Sequence, residues 1–182
     1  MAVDKKVLVE AADSFPTSQP ALRLKTGFSE KLICGDIFTG STLVAVPLLP
    51  GTLESVGNFE PKIKFTISNA TDWFSIDADK THGRLCVKAL CTDDKGLNVS
   101  LTVDGIVTIN ETTMPLVFGL PDAKTAPFGF GIESVKFATG HEEYKALENM
   151  VFVGSQRFVK EEGDIIGVEA RISQIMPGSG FE

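Results

Sequence analysis

Lys88 is the first residue of the chain whose type and setting could do chemistry. It lies in the segment Leu85–Cys91, where Leu85, Val87 and Ala89 alternate along one apolar face. Lys88 falls on the opposite face, between Cys86 and Leu90, so it is a single charge on a strand with two apolar faces. Desolvation would favour the neutral amine, which can act as a general base or form a Schiff base. The alternative is that Lys88 lies near a strand end and extends its ammonium group into solvent.

Asp104 is the predicted partner of this lysine. A turn at Asp93–Gly96 would let the next segment, Leu97–Val103, fold back as a hairpin. If paired residue numbers sum to 190, Lys88 lies opposite Thr102, and Asp104 becomes its diagonal neighbour. A carboxylate beside a desolvated amine would supply an acid and a base. The alternative is that Ser100, Thr102 and Asp104 form a solvent-facing surface.

Other kinds of catalytic site have little support in the sequence. There is no Gly-X-Ser-X-Gly nucleophile motif, and the Gly-X-Gly within Phe128–Ser134 is not followed by a helical pattern. His82 and His141 are far apart and have no partners at metal-ligand spacing. We therefore expect no metal site and no cofactor.

The charge balance excludes further classes of partner. The chain has 24 acidic and 17 basic residues, a net charge of −7, which argues against binding nucleic acid or an anionic membrane surface. No apolar run is long enough for a signal peptide or a membrane span. The three cysteines are expected to be free thiols, and we expect a cytoplasmic protein.

Alternation of apolar and polar residues is the main structural signal. It is clear in Lys62–Ile67 and near Ile166–Ser173, and weaker runs at Lys6–Glu10, Ile106–Ile109 and Pro115–Phe118 are also predicted as strands, with a turn at Asp104-Gly105. Only His141–Asn149 has helical spacing. Many short strands and at most a short helix predict an all-β protein with a single antiparallel barrel or sandwich. The predicted organisation is an N-terminal strand and loop over residues 1–30, a barrel domain over 31–176 and a flexible tail over 177–182.

Several segments, taken in order, are similar to a known family. They are Asp72-Trp73, His82-Gly83, Leu85–Gly96, Val103–Gly105, and Tyr144–Gly154 with Arg157. In these segments the chain resembles the small β-barrel family catalogued as domain of unknown function 3237, from about Leu32 to Ile175. The resemblance implies a closed, lipocalin-like or cyclase-like antiparallel barrel with an internal cavity. It also implies a connection with fungal secondary metabolism, where cofactor-independent cyclases and isomerases act on polyketides and terpenoids.

This chain departs from the pattern of the family at several positions. Lys88 stands where many relatives have Arg, and Asp104 replaces a basic residue. In Tyr144–Asn149, Ala146 stands for Trp, Glu148 for Asn and Asn149 for Arg. The loss of the ring at Ala146 would enlarge the cavity if that position faces inward.

Two functional hypotheses and one without a ligand follow. In the first, the protein is a cofactor-independent cyclase or isomerase acting on a hydrophobic, phenolic intermediate, for example by adding a hydroxyl across an alkene to close an ether ring. Lys88 would be its base and Asp104 or Glu148 its acid. The expected substrate contacts are Trp73, Leu90, Thr102, Tyr144 and Asn149. In the second hypothesis the same barrel is a non-catalytic carrier, and in the third its interior is filled. A homodimer is compatible with each of the three.

Overall fold

The computed structural model describes residues 14–162 and 165–178 of the chain. Within these ranges there are ten strands. They are β1 (Thr17–Gly27), β2 (Leu32–Asp36), β3 (Thr42–Pro47), β4 (Gly51–Ser55), β5 (Lys64–Ile76), β6 (His82–Thr92), β7 (Asn98–Thr108), β8 (Gly131–Ala138), β9 (Val151–Lys160) and β10 (Ile166–Met176). A short helix α1 (Met114–Phe118) lies between β7 and β8, and a 3₁₀ helix (Glu142–Asn149) lies between β8 and β9.

The strands close into an eight-stranded antiparallel barrel, with β5 as the strand that closes it. One edge of β5 pairs with β4 through its first half and with β3 through its second half. Its other edge pairs with β6, so the sheet returns to itself through β1, β10, β9, β8 and β7. The prediction of an all-β closed barrel is confirmed.

The barrel interior contains two apolar clusters, one above the other. The lower core surrounds Phe65, Leu101 and Phe152, and Phe137 meets Phe152 edge-on with ring centroids 5.4 Å apart. The upper core surrounds Phe74, Val107 and Phe158. Burial of this apolar surface is the main force that stabilises the fold.

Two local predictions are wrong. Pro115–Phe118 belongs to α1 rather than to a strand, because Pro115 lies in the first helical turn, where its missing N–H removes no hydrogen bond. The helix ends at Gly119, whose φ of 68° is left-handed. Asp104-Gly105 is not a turn either, since β7 runs through it without interruption.

The barrel also begins earlier in the chain than residue 31. Because β1 pairs with both β4 and β10, it is itself a wall of the barrel. The predicted strand Lys6–Glu10 and the last four residues of the predicted tail lie outside the described residues.

Gly83 provides a test of the packing in the upper core. A methyl group at this position would lie 2.0 Å from Cζ of Phe74, so Gly83→Ala forces the ring to move. We expect the variant to lose about 1–3 kcal/mol in the free energy of unfolding, measured by urea denaturation. The control is Gly140→Ala, because a methyl group there meets no atom within 4 Å. If the two variants are equally stable, the described packing of Phe74 is incorrect.

Candidate functional site in the barrel interior

The register predicted for Lys88 is confirmed, and of its two possible orientations the structure has the solvent-facing one. Lys88 pairs with Thr102 and Cys86 pairs with Asp104, as a sum of 190 requires. Lys88 and Asp104 are nevertheless exposed, and Thr102 is partly exposed, on the outer face of the barrel. A closed barrel offers each strand one inward face, and β6 fills that face with Leu85, Val87 and Ala89. The alternative of a solvent-facing surface is the correct one.

Trp73 and Leu90 also lie on the outer face. Trp73 is 48% exposed and Leu90 is partly exposed, so neither lines the interior as expected. The reason for Trp73 is an irregularity in β5 between Ser68 and Thr71, where Asn69 has a φ of 46°. An extra residue in a strand exchanges its two faces, and Asn tolerates the left-handed conformation. Asp72 therefore points inward in place of Trp73.

The predicted site residues in the 3₁₀ helix do not line the chamber interior: Tyr144 packs in the lower core, and the others are exposed. The Tyr144 hydroxyl donates a hydrogen bond of 2.8 Å to Asp93 Oδ2, and the ring packs against Phe65. Glu148 and Asn149 are exposed. Glu148 accepts hydrogen bonds from the Lys145 ammonium and from a backbone N–H, which lower its pKa and keep it ionised, so it is a poor proton donor.

Ala146 is exposed and does not enlarge the cavity. The expectation that depended on its facing inward is therefore wrong.

A layer of buried polar side chains separates the two apolar cores. It contains Asp72 on β5, Glu133 on β8 and Gln156 on β9, each 5–6% exposed. On β5 and β9 the polar residue lies between lower-core and upper-core positions, as Asp72 does between Ala70 and Phe74, and on β8 Glu133 lies next to the lower-core residue Val135. Buried polar groups without water are costly unless they are paired, so this layer is the part of the interior that requires a functional explanation.

Asp72 is held by one backbone hydrogen bond. Its Oδ1 accepts from the N–H of Cys86 at 2.9 Å. Burial raises the pKa of Asp72 to about 6, although this hydrogen bond acts in the opposite direction.

Glu133 has less support than Asp72. No hydrogen bond or ion pair reaches its carboxyl group from the described residues. Burial, together with repulsion from Asp72, raises the pKa of Glu133 to about 7. At neutral pH the interior therefore contains one carboxyl group that is mostly ionised and another that is about half protonated.

Gln156 is the third member of the layer. Its Nε2 is buried and has no hydrogen-bond partner among the described residues. An unpaired buried donor costs about 1–3 kcal/mol, so the fold retains this amide at a loss of stability.

Glycines make room for Glu133 and Gln156. Glu133 pairs across β8 and β9 with Gly154, and Gln156 pairs with Gly131, so two polar residues and two glycines alternate. A methyl group at Gly154 would lie 2.6 Å from Glu133 Oε1, and one at Gly131 would lie 2.5 Å from Gln156 Cγ. Gly105 of β7 clears the other side, since a methyl group there would lie 2.8 Å from Glu133 Cβ. The strand backbones thus form a cradle for both side chains.

Two cavities border the polar layer. We call them the central chamber, which contains Glu133, Gln156 and Thr26, and the upper chamber, which contains Asp72 and Lys31. The space open to the centre of a water molecule is about 40 Å³ in the central chamber and about 30 Å³ in the upper one. The other residues of the upper chamber are apolar: Phe28, Val46, Phe74, Leu85, Val117 and Phe158.

Lys31 is the cation that faces this interior. Burial lowers the pKa of its amine, and the ammonium donates a hydrogen bond to the carbonyl of Val117 in α1. This bond joins the segment after β1 to α1 over the upper chamber. The properties expected of Lys88 therefore belong in part to Lys31.

The signal for the interior carboxyl groups was present in the sequence. Glu133 alternates with Val135 and Phe137, and Gln156 alternates with Phe152 and Phe158. The argument made for Lys88, a polar residue on an apolar face, applies to both. Asp72 also lies on an apolar face, between Ala70 and Phe74, but the irregularity at Asn69 breaks the alternation that begins at Lys62.

Residues 14–162 and 165–178 contain no group of three His, Cys, Asp or Glu side chains that could hold a metal ion. None of their helices has the length and apolar character needed to cross a membrane.

The fold is similar to those of several solved structures. No curated protein matches the chain significantly. A solved structure from Rhodopseudomonas palustris, of a conserved protein of unknown function, is 20% identical with a TM-score of 0.72, covering 89% of this chain and 99% of that one. A β-barrel-like protein from Acinetobacter baumannii is 19% identical with a TM-score of 0.66, covering 89% and 97%. A structure called an enzyme, from Penicillium herquei, is 17% identical with a TM-score of 0.57, covering 88% and 95%. Residues 16–175 match the family described as "Protein of unknown function (DUF3237)", and the chain belongs to that family.

Proposed function

We propose that the protein is a cofactor-independent isomerase or cyclase that uses Asp72 and Glu133 as base and acid. The observation that carries the proposal is the pair of buried carboxyl groups in one apolar interior, without a cation bound to either among the described residues. Two titratable groups whose environments separate their protonation states at neutral pH are the arrangement that acid–base catalysis requires. That a structural neighbour from Penicillium herquei is called an enzyme is in keeping with this proposal.

The proposed substrate is a hydrophobic phenol of polyketide or terpenoid type that carries an alkene. Asp72, as the carboxylate, accepts the phenolic proton, while Glu133, as the acid, donates a proton to one alkene carbon. The phenolate oxygen bonds to the other alkene carbon as the π bond breaks, which closes an ether ring. The product is an isomer of the substrate, and proton transfer from Asp72 back to Glu133 restores the enzyme.

Substrate access requires the cover of the upper chamber to move. Either chamber has room for a few water molecules, and a phenol with an alkenyl chain is larger. Release of the Lys31 hydrogen bond to Val117 would separate α1 from the segment after β1. Motions of such covers are common in enzymes that exclude water from the reaction.

The protonation of Glu133 can be tested through protein stability. Its pKa is raised by folding, from an ordinary 4.5 to about 7, so the folded state binds more protons than the unfolded state between these values. The contribution of Glu133 to stability therefore falls as pH rises from about 4.5 to about 7, by at most about 1.4 kcal/mol per pH unit. Glu133→Gln removes this loss, so the variant should gain stability relative to the wild type across the window in urea denaturation.

The control for this measurement is Glu111→Gln, at an exposed position. Its stability should follow that of the wild type at every pH. A constant difference between Glu133→Gln and the wild type from pH 4.5 to 7 would contradict the raised pKa of Glu133.

The activity can be tested with 2-allylphenol, 2-prenylphenol and 2-geranylphenol in D₂O. The wild type should convert at least one phenol to a cyclic ether that carries one deuterium on carbon, detected by mass spectrometry. Asp72→Asn and Glu133→Gln should each lower the rate by about a hundredfold or more, because removal of a general acid or base has effects of this size. Glu111→Gln should retain the wild-type rate.

Three outcomes would overturn the proposal. One is binding of the phenols without conversion, which would identify a carrier. Another is that none of the phenols binds. The third is loss of activity in Lys88→Ala with full activity in Asp72→Asn and Glu133→Gln, which would restore the site expected from the sequence.

A further inference from the structure

We propose that the central chamber is a carbonyl-binding subsite, in which Gln156 and Glu133 hold a ketone oxygen of the substrate. The inference rests on the proposed function, because it assigns a substrate class to the same interior. It would make the substrate a phenol with an aryl or alkyl ketone group.

The side-chain amide of Gln156 is a buried hydrogen-bond donor without a partner among the described residues. Gln156 lines the central chamber, is 5% exposed, and its Nε2 has no partner among the described residues. A buried amide donor recovers its lost hydrogen-bond energy only when an acceptor reaches it. The ligand group that meets it must therefore present an oxygen or nitrogen acceptor.

The carboxyl group of Glu133 lies beside this amide. Glu133 is the diagonal neighbour of Gln156 across β8 and β9, at a Cα separation of about 7–8 Å that long side chains bridge. In its protonated form Glu133 is also a donor, and it has no hydrogen-bond partner among the described residues. A carbonyl oxygen has two lone pairs, so on binding it can accept from both side chains, and it leaves no donor of its own unpaired. When the acid proton of Glu133 passes to the alkene carbon, the hydrogen bond from Gln156 still holds the ketone oxygen.

The lining of the central chamber excludes anionic ligand groups. The residues lining the central chamber include no Lys or Arg, so an anionic oxygen would meet Glu133 without a balancing cation. The Thr26 hydroxyl also lines the chamber, but it donates its hydrogen to the carbonyl of Leu49 at 2.6 Å. The remaining lining is apolar, which suits the hydrocarbon around a ketone.

The glycine cradle supports a binding role over a purely structural one. Gly131, Gly154 and Gly105 leave the volume of three side chains free in the wall. Glu133 and Gln156 occupy this volume, although both are polar and Gln156 Nε2 has no hydrogen-bond partner among the described residues. Filling the same volume with apolar side chains would stabilise the barrel. The two polar side chains are therefore kept, despite the loss in stability, because they bind the ligand.

The experiment compares acetophenone with α-methylstyrene, which has a CH₂ group in place of the carbonyl oxygen. Affinities are measured by titration while the Gln156 side-chain amide is followed by ¹⁵N–¹H NMR. The wild type should bind acetophenone at least about tenfold more tightly, since a site with an unpaired buried polar group rejects an apolar isostere. Acetophenone should move the Gln156 amide signals downfield, and α-methylstyrene should not.

Gln156→Met removes the donor at similar size and should lose most of the preference for acetophenone, because only Glu133 can still donate. The matched control is Gln19→Met, at an exposed glutamine that donates to Gln174, and it should keep the wild-type preference. Equal affinities in the wild type, binding of neither probe, or unmoved Gln156 signals would each overturn the inference. The wild-type measurements remain decisive if Gln156→Met does not fold.

This result is separable from the proposed function. Probe preference requires no turnover, so a carbonyl subsite can be found in a protein whose Asp72→Asn and Glu133→Gln variants keep full activity. Conversely, loss of activity in those variants with no preference for acetophenone would support acid–base catalysis and refute the carbonyl subsite.

Discussion

Exclusion of water from the barrel interior is the constraint on which the rest of the molecule depends, because closure through β5 leaves each strand a single face for solvent. Apolar side chains meet this constraint easily and form the lower and upper cores. Asp72 and Glu133 meet it only by retaining protons at higher pH than carboxyl groups in water do. The same desolvation that opposes folding thus gives these groups the protonation states that proton transfer needs.

The wall of the barrel is adapted to these side chains. Glu133 and Gln156 face the backbone of Gly154 and Gly131 rather than opposing side chains. A side chain at either glycine would displace the polar group beside it. The glycines weaken the sheet and leave the polar groups unpaired, so stability has been given up in one small region rather than across the fold.

Much of the fold could be predicted from the sequence, because alternation reports which residues share a face. It gave an antiparallel barrel or sandwich, which the family resemblance narrowed to a closed barrel, and with the turn at Asp93–Gly96 it gave the register of β6 with β7, down to Lys88 opposite Thr102. It could not decide which of two apolar faces points inward, since Cys86 and Leu90 are apolar enough for either. Nor could the alternation of Lys62–Ile67, carried forward, place Trp73 and Asp72, because the irregularity at Asn69 exchanges the faces within one strand. The helical state of Pro115–Phe118 depends on the position of Pro115 in the first turn, which an apolar run of four residues does not reveal.

The position of Lys31 links recognition to access. The half-buried ammonium of Lys31 has lost part of its hydration and donates a hydrogen bond to one carbonyl, that of Val117. This bond joins α1 to the segment after β1 over the upper chamber. A substrate large enough to fill both chambers must break the bond, which leaves the ammonium to find another acceptor or return to water. The proposed phenolic substrate would bring such an acceptor to the chamber that holds Asp72. Loss of the cover bond is then offset by a contact with the ligand, so the energy needed for opening falls most for substrates that carry an oxygen at that end.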